Sequence, residues 1–89
     1  MSKNIVFTQI AWEEYMSWQT EDKKTLKRIN QLLQDIMRNG NKGIGKPERL
    51  KGDLSEYWSR RIDDKNRVVY RISEESIEVV QCKTHYSDK

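Results

Sequence analysis

The chain has 89 residues, 35% of them hydrophobic and 35% charged, with a net charge of +3. That length supports one domain, residues 1–89, with a lean core and no second one. There is no apolar signal segment at the N-terminus, no apolar run near the roughly 18 residues of a membrane span, and only one cysteine, Cys82. An internal disulfide is excluded, and the expectation is a reducing, cytoplasmic setting without membrane contact.

Ile5-Val6-Phe7 reads as a first strand, and Thr8 offers a helix N-cap. Ile10, Trp12, Tyr15 and Trp18 follow at roughly helical spacing, which predicts a helix over residues 9–19. Thr20-Glu21-Asp22 is a second capping cluster. After it Leu26, Ile29, Leu32, Leu33, Ile36 and Met37 recur at steps of three and four, the strongest periodic signal in the chain, with Gly40 as its stop. Residues 39–55 hold all four glycines and the one proline and read as a loop. Gly43-Ile44-Gly45-Lys46 lacks the Gly-Lys-Ser/Thr ending of a nucleotide-binding loop, so nucleotide binding is rejected.

Beyond the loop the pattern changes to period two. Residues 57–62 and 67–72 alternate around the turn Asp63-Asp64-Lys65-Asn66, which predicts a hairpin, and Ile77, Val79 and Val80 lead a last strand. The order is β-α-α-β-β-β: an α+β fold with two N-terminal helices packed on an antiparallel sheet. Alternation puts Val68, Tyr70 and Ile72 on the core face under the helices. Arg61, Arg67 and Arg71 then share the uncovered face. Arg60 falls with Trp58 and Ile62 on the core side, which suggests a place at the sheet margin. The last strand is apolar at both parities, so the face of His85 is not assigned by pattern.

Charge is unevenly spread. Residues 46–71 carry eight cations and five anions, whereas residues 72–89 carry two cations and four anions. The middle segment is therefore the candidate for phosphate contact. Glu48 lies there within Lys46-Pro47-Glu48-Arg49-Leu50-Lys51, and the tail carries the one histidine in Cys82-Lys83-Thr84-His85-Tyr86. RNA is cut without metal when a base removes the 2′-hydroxyl proton, an acid protonates the departing 5′-oxygen, and fixed cations meet the charge on the phosphoryl oxygens. Glu48 suits the base, since flanking cations favour its ionised form. His85 suits the acid, with a reference pKa of about 6.5. Arg61 and Arg67 offer planar, multi-donor phosphate clamps, and Tyr86 can stack on a base or pack in the strand. By default, Glu48 would be a surface ion pair and His85 a solvated tail residue; Trp58 and Tyr70 belong to the core. One His and one Cys complete no usual metal site, no cofactor is expected, and Cys82 reads as inert and buried. A basic, non-catalytic RNA-, ribosome- or antitoxin-binding module is the competing interpretation of the same cations.

These residues resemble a known family, the YoeB toxins, a branch of the RelE-like mRNA interferases of bacterial toxin–antitoxin modules. The resemblance runs through Trp12-Glu13-Glu14-Tyr15, Trp18-Gln19, Lys27-Arg28-Ile29-Asn30, Gly45-Lys46-Pro47-Glu48, Leu50-Lys51, Leu54-Ser55, Trp58-Ser59-Arg60-Arg61-Ile62, Asn66-Arg67-Val68-Val69-Tyr70 and the Cys82…His85-Tyr86 ending. It implies a compact microbial-ribonuclease-like fold and metal-independent cleavage of messenger RNA in the ribosomal A site. It further implies Glu48 as general base, His85 as general acid, Arg67 as stabiliser of the pentacovalent phosphate and Tyr86 as a substrate-holding residue, with Lys46, Lys51 and Arg61 lining the site. The implied partners are the ribosome and its mRNA, a second copy in a homodimer, and a cognate YefM-like antitoxin, through which alone operator DNA is reached. Two departures stand out. Arg49 replaces a proline common in the family, and Ser87-Asp88-Lys89 extends the His-Tyr ending.

Overall fold

The computed structural model describes residues 3–83. Strand β1 (Asn4–Phe7) leads into helix α1 (Gln9–Glu21), helix α2 (Lys23–Asn39), the two-residue strand β2 (Glu48–Arg49), a single 3-10 turn (Gly52–Leu54), and strands β3 (Trp58–Arg61), β4 (Arg67–Ile72) and β5 (Ser76–Gln81). The predicted turn signals explain the joints. The Thr8 hydroxyl accepts the Ala11 N–H at 3.2 Å, starting α1. Asp22 accepts from the N–H groups of Lys24 and Thr25, starting α2, and Gly40 ends it at φ 66°, donating to Ile36 O at 2.9 Å. In the hairpin turn Asp63 Oδ1 accepts from the backbone of both Lys65 and Asn66 at 2.9 and 2.7 Å, so the carboxylate does the work of a main-chain turn.

The sheet order is β1-β5-β4-β3-β2. Three neighbouring pairs are antiparallel, but β1 runs parallel to β5, with Ile5 opposite Ile77 and Phe7 opposite Val79. The expectation of an antiparallel sheet is thus corrected to a mixed one. Period-two alternation fixes which face a side chain takes, not which strand pairs with which or in what direction. The long return through both helices and the hairpin gives the crossover a parallel pair requires. A further difference is β2, since the predicted loop pairs through Glu48–Ser59 and Arg49–Trp58.

Both helices cover one face. Ile29, Leu32, Leu33 and Ile36 of α2 pack with Val68, Tyr70, Ile77 and Val79 of the sheet, each burial worth about 1.5–3 kcal/mol. In α1 the buried residues are Ala11 and Trp18, whereas Ile10 and Trp12 are 60% and 46% exposed. The predicted helix exists, but its core-facing side is the one through Ala11, Tyr15 and Trp18. With apolar residues all round α1, spacing alone does not choose the buried side. No helix among the described residues is long and apolar enough to cross a membrane.

Candidate functional site

The sheet face away from the helices is built by register. Glu48 pairs with Ser59, Ser59 with Val69, and Val69 with Gln81, so one row of same-face residues crosses β2 to β5. One step along, Arg61 is opposite Arg67. These residues and the end of the loop form a cleft of about 330 Å³ lined by Lys46, Pro47, Glu48, Ser59, Arg61 and Arg67. Five of the six were either predicted site residues or sit within the predicted Lys-Pro-Glu run. Ser59 was not singled out, although its shared parity with Arg61 already put it on this face.

Among the described residues, the cations of the cleft are only lightly engaged. Arg67 Nη1 donates to Asp63 O at 2.8 Å and Asn66 O at 3.1 Å; among the described residues its Nε and second Nη remain available. Arg61 Nη1 stands 3.9 Å from Asp64 Oδ1, a carboxylate 99% exposed, so water screens the pair heavily. Arg71, expected on the same face, is there but tied off. Its guanidinium meets Glu56 and Glu78 at 3.2 and 3.1 Å and lies over the Tyr57 ring. Arg49 pairs with Trp58, pointing away from Glu48's side of the strand, and its Nε donates to Ser55 O at 2.8 Å. Lys51 is exposed at the start of the 3-10 turn, outside the cleft lining. His85 and Tyr86 lie outside the described residues. The strand that leads to them is antiparallel to β4 and passes Val69 at Gln81, so it travels towards the Arg67 end of the sheet.

The loop delivering Lys46 and Glu48 is held from behind by Arg60. This side chain is not at the margin, as alternation suggested, but completely buried on the helix-covered side. Its Nε donates to Tyr70 Oη at 3.1 Å. Nη1 reaches Asp35 Oδ2 and Ile44 O, both at 2.7 Å, and Nη2 reaches Gly40 O at 2.7 Å and Lys42 O at 3.2 Å. All five guanidinium N–H groups thus have acceptors, the condition under which a buried charge is tolerated. The Arg60 hydrogen bond, with help from Asn39 and the Ile44 N–H, holds the Asp35 carboxyl below the usual carboxylate range. Gly43 packs so closely on that carboxylate that a Cβ would overlap it, and Gly45, at φ 83°, has Leu32 and Arg61 O where a side chain would go. Gly43 thus packs against the Asp35 carboxylate, and Gly45 against Leu32 and the backbone of β3. From this anchored loop Gly45 O accepts the Arg61 N–H at 2.6 Å, and Lys46 follows in a left-handed conformation, φ 50°. A lysine held there, immediately before a proline, stores local strain at the rim of the cleft.

A second, larger depression of about 660 Å³ lies on the helix side, lined mainly by Ile5, Phe7, Trp12, Tyr15, Leu33 and Met37. It is apolar with one cation, Arg38, and lacks the clustered charge that phosphate chemistry needs. Cys82 is buried, and burial, with Glu14 nearby, pushes its thiol up to about 12, so it is no nucleophile at neutral pH. Among the described residues no cluster of His, Cys, Asp and Glu is arranged to hold a metal.

Comparison with known proteins agrees with this geometry. A family model described as the YoeB-like toxin of bacterial type II toxin–antitoxin systems matches residues 7–86. Toxin YoeB of Streptomyces coelicolor is 54% identical over 92% of this chain and 98% of its own, and toxin YoeB of Escherichia coli K12 is 40% identical over the same shares. Among solved structures, the YoeB/ParE toxin from Agrobacterium tumefaciens superimposes with a TM-score of 0.90 at 44% identity, covering 93% of this chain and 99% of that one. The YoeB dimer from Staphylococcus aureus gives 0.89 at 48%, covering 94% and 98%. A mutant of YafQ from E. coli shares the fold at a TM-score of 0.77 with only 13% identity, covering 93% of each chain. With the family pattern matched from β1 to the tail and the same fold found in its solved members, this chain belongs to the YoeB-like toxins of bacterial type II toxin–antitoxin systems.

Proposed function

We propose that this toxin is a metal-independent endoribonuclease that cuts messenger RNA in the ribosomal A site and thereby stops translation in the bacterial cytoplasm. One observation carries the reading. Glu48, Lys46, Arg61 and Arg67 line a single cleft on the uncovered sheet face, and the strand bearing the His85–Tyr86 tail runs towards the same end. In the proposed reaction Glu48 takes the 2′-hydroxyl proton and the 2′-oxygen bonds to phosphorus. The bond from phosphorus to the 5′-oxygen breaks, and His85 gives that oxygen its proton. The products are a 2′,3′-cyclic phosphate and a 5′-hydroxyl. Arg67 and Arg61 meet the charge that builds on the phosphoryl oxygens. Lys46 and Lys51 attract the backbone, and Tyr86 holds the substrate. No step calls for a metal or cofactor.

The solved S. aureus relatives include a YoeB dimer and a YoeB–YefM heterotetramer. They support a homodimer here and a YefM-like antitoxin as inhibitor, with operator DNA reached only through that complex. The apolar side chains exposed on β1 and α1, Ile5, Val6, Ile10, Trp12 and Met16, are surface that such assemblies can bury.

The test is cleavage of a short message on programmed ribosomes, read by mapping 5′ ends. A 2′-deoxy nucleotide at the cut position should abolish cleavage, and His85→Ala should slow it by about 100-fold or more. Full cleavage of the deoxy message would rule out 2′-hydroxyl attack. Binding that weakens with salt but yields no cut would favour the non-catalytic module.

A further inference from the structure

The residues that end β5 are held more firmly than strand pairing requires. Gln81, 8% exposed, closes the row that begins at Glu48, and its carboxamide donates to Lys83 O at 2.8 Å. Both main-chain groups of Cys82 are held from α1. Its N–H donates to Glu14 Oε1 at 2.7 Å, and its carbonyl accepts from Trp18 Nε1 at 3.0 Å. The Lys83 ammonium lies 3.1 Å from Glu21 Oε2 and 4.8 Å from the centre of the Trp18 ring. Burial of the Cys82 side chain, 1% exposed, already fixes this residue in the core. The ties to its peptide groups add orientation rather than burial. They act just past the last ladder residue, where a chain end ordinarily frays.

His85 is two residues beyond Lys83 in the sequence. We infer that Glu14, Trp18 and Gln81 form a collar that sets the direction in which the chain leaves β5, and that they are positioning residues for His85. The inference rests on the reading of His85 as general acid. None of the three has to touch RNA; each is tied to the backbone of residue 82 or 83. A displacement of about 1 Å at a reacting group can cost about 100-fold in rate, so a loosened collar should show in the proton-transfer step.

The experiment compares two messages on programmed ribosomes. One has the ordinary 5′-oxygen at the cut; the other has sulfur there, a leaving group that departs without being protonated. His85→Ala, Glu14→Ala, Glu14→Gln and Gln81→Leu are measured at saturating message. Glu14→Ala and Gln81→Leu should cut the ordinary message about 10-fold or more slowly. On the sulfur message they should come within about 3-fold of the parent, as His85→Ala should, since the step needing the acid is gone. Glu14→Gln keeps an oxygen facing the Cys82 N–H and should restore most of the ordinary rate. Equal defects of Glu14→Ala and Gln81→Leu on both messages, with His85→Ala rescued by sulfur, would overturn the collar alone. Failure of sulfur to rescue His85→Ala would overturn the acid assignment and the collar with it. Thermal melts identify variants that do not fold; should Glu14→Ala be one, Gln81→Leu carries the test.

Discussion

Arg60 and Arg61 are adjacent in sequence and opposite in fate. Arg60 points under the helices, is wholly buried, and spends five donors on Tyr70, Asp35 and three loop carbonyls. Arg61 points the other way, lines the cleft, and among the described residues has one weak ion pair at 3.9 Å. The pleat makes the difference, because successive side chains of a strand leave on opposite faces. On the covered side a guanidinium is tolerable only when fully satisfied, and so it becomes structural. On the open side water solvates it, and it stays available for phosphate. The two are mechanically linked, since the loop that Arg60 grips passes through Gly45 to the Arg61 N–H and then supplies Lys46 and Glu48 to the cleft.

The strongest way to break this contrast is Arg60→Ala. It takes the guanidinium from the Asp35 carboxylate, which keeps only Asn39 and the Ile44 N–H, and from the Tyr70 hydroxyl and three carbonyls; breaking a largely buried ion pair in this way costs about 3 kcal/mol or more. Against a typical domain stability of about 5–15 kcal/mol, chemical denaturation should show a protein near the edge of folding. A variant that melts like the parent would mean that the loop holds itself. Arg67→Ala should do the converse. Its loss from the open face should leave the melting temperature nearly unchanged while cleavage falls about 100-fold or more, the scale for removing a donor to transition-state charge. Equal loss of stability in both variants would erase the distinction between the two faces.

The hairpin was legible in the sequence because its signals are local. Alternation, the Asp-Asp-Lys-Asn turn and the parity of Arg61 and Arg67 predict a hairpin with both arginines on one face, and they stand opposite each other in it. The α2 stripe was legible for the same reason, as its apolar residues recur on a helix with polar ones between. Arg60 was not. Its acceptors are Asp35, the Tyr70 hydroxyl and main-chain carbonyls of residues 40, 42 and 44, and no motif announces that a loop carbonyl will face a strand arginine. The parallel pairing of β1 with β5 was equally hidden, since direction and partner come from the path of the whole chain. Glu48, Lys46, Arg61 and Arg67 line one cleft. Lys51 stands apart from the cleft, and His85 and Tyr86 lie outside the described residues.

Asp35→Asn sharpens the comparison with a smaller effect. The Asp35 carboxyl is held below its ordinary value of 3.8 by the Arg60 hydrogen bond. A depressed folded-state pKa stabilises the fold fully above the unfolded value and loses that contribution as pH falls through the folded one. Near neutral pH the variant should therefore be less stable, by about 1.5–3 kcal/mol for a hydrogen bond to a charged group. Below about pH 4 the gap should narrow, because the parent carboxyl becomes neutral too. Denaturation curves from pH 7 down to pH 2.5 measure this. A gap that stayed constant to the lowest pH would show that the Arg60 anchor does not depend on the Asp35 charge.

The mildest perturbation is Asp64→Asn, on the open face. Asp64 is almost fully exposed and 3.9 Å from Arg61, so its pairing contributes too little to register in a melt. Its charge still opposes an incoming phosphate at long range. Removing it should tighten message binding slightly at low salt. That gain should disappear near physiological ionic strength, where the screening length is about 8 Å. A clear fall in melting temperature would instead make Asp64 part of the architecture, and Arg61 would then be held in place much as Arg60 is rather than left open for substrate.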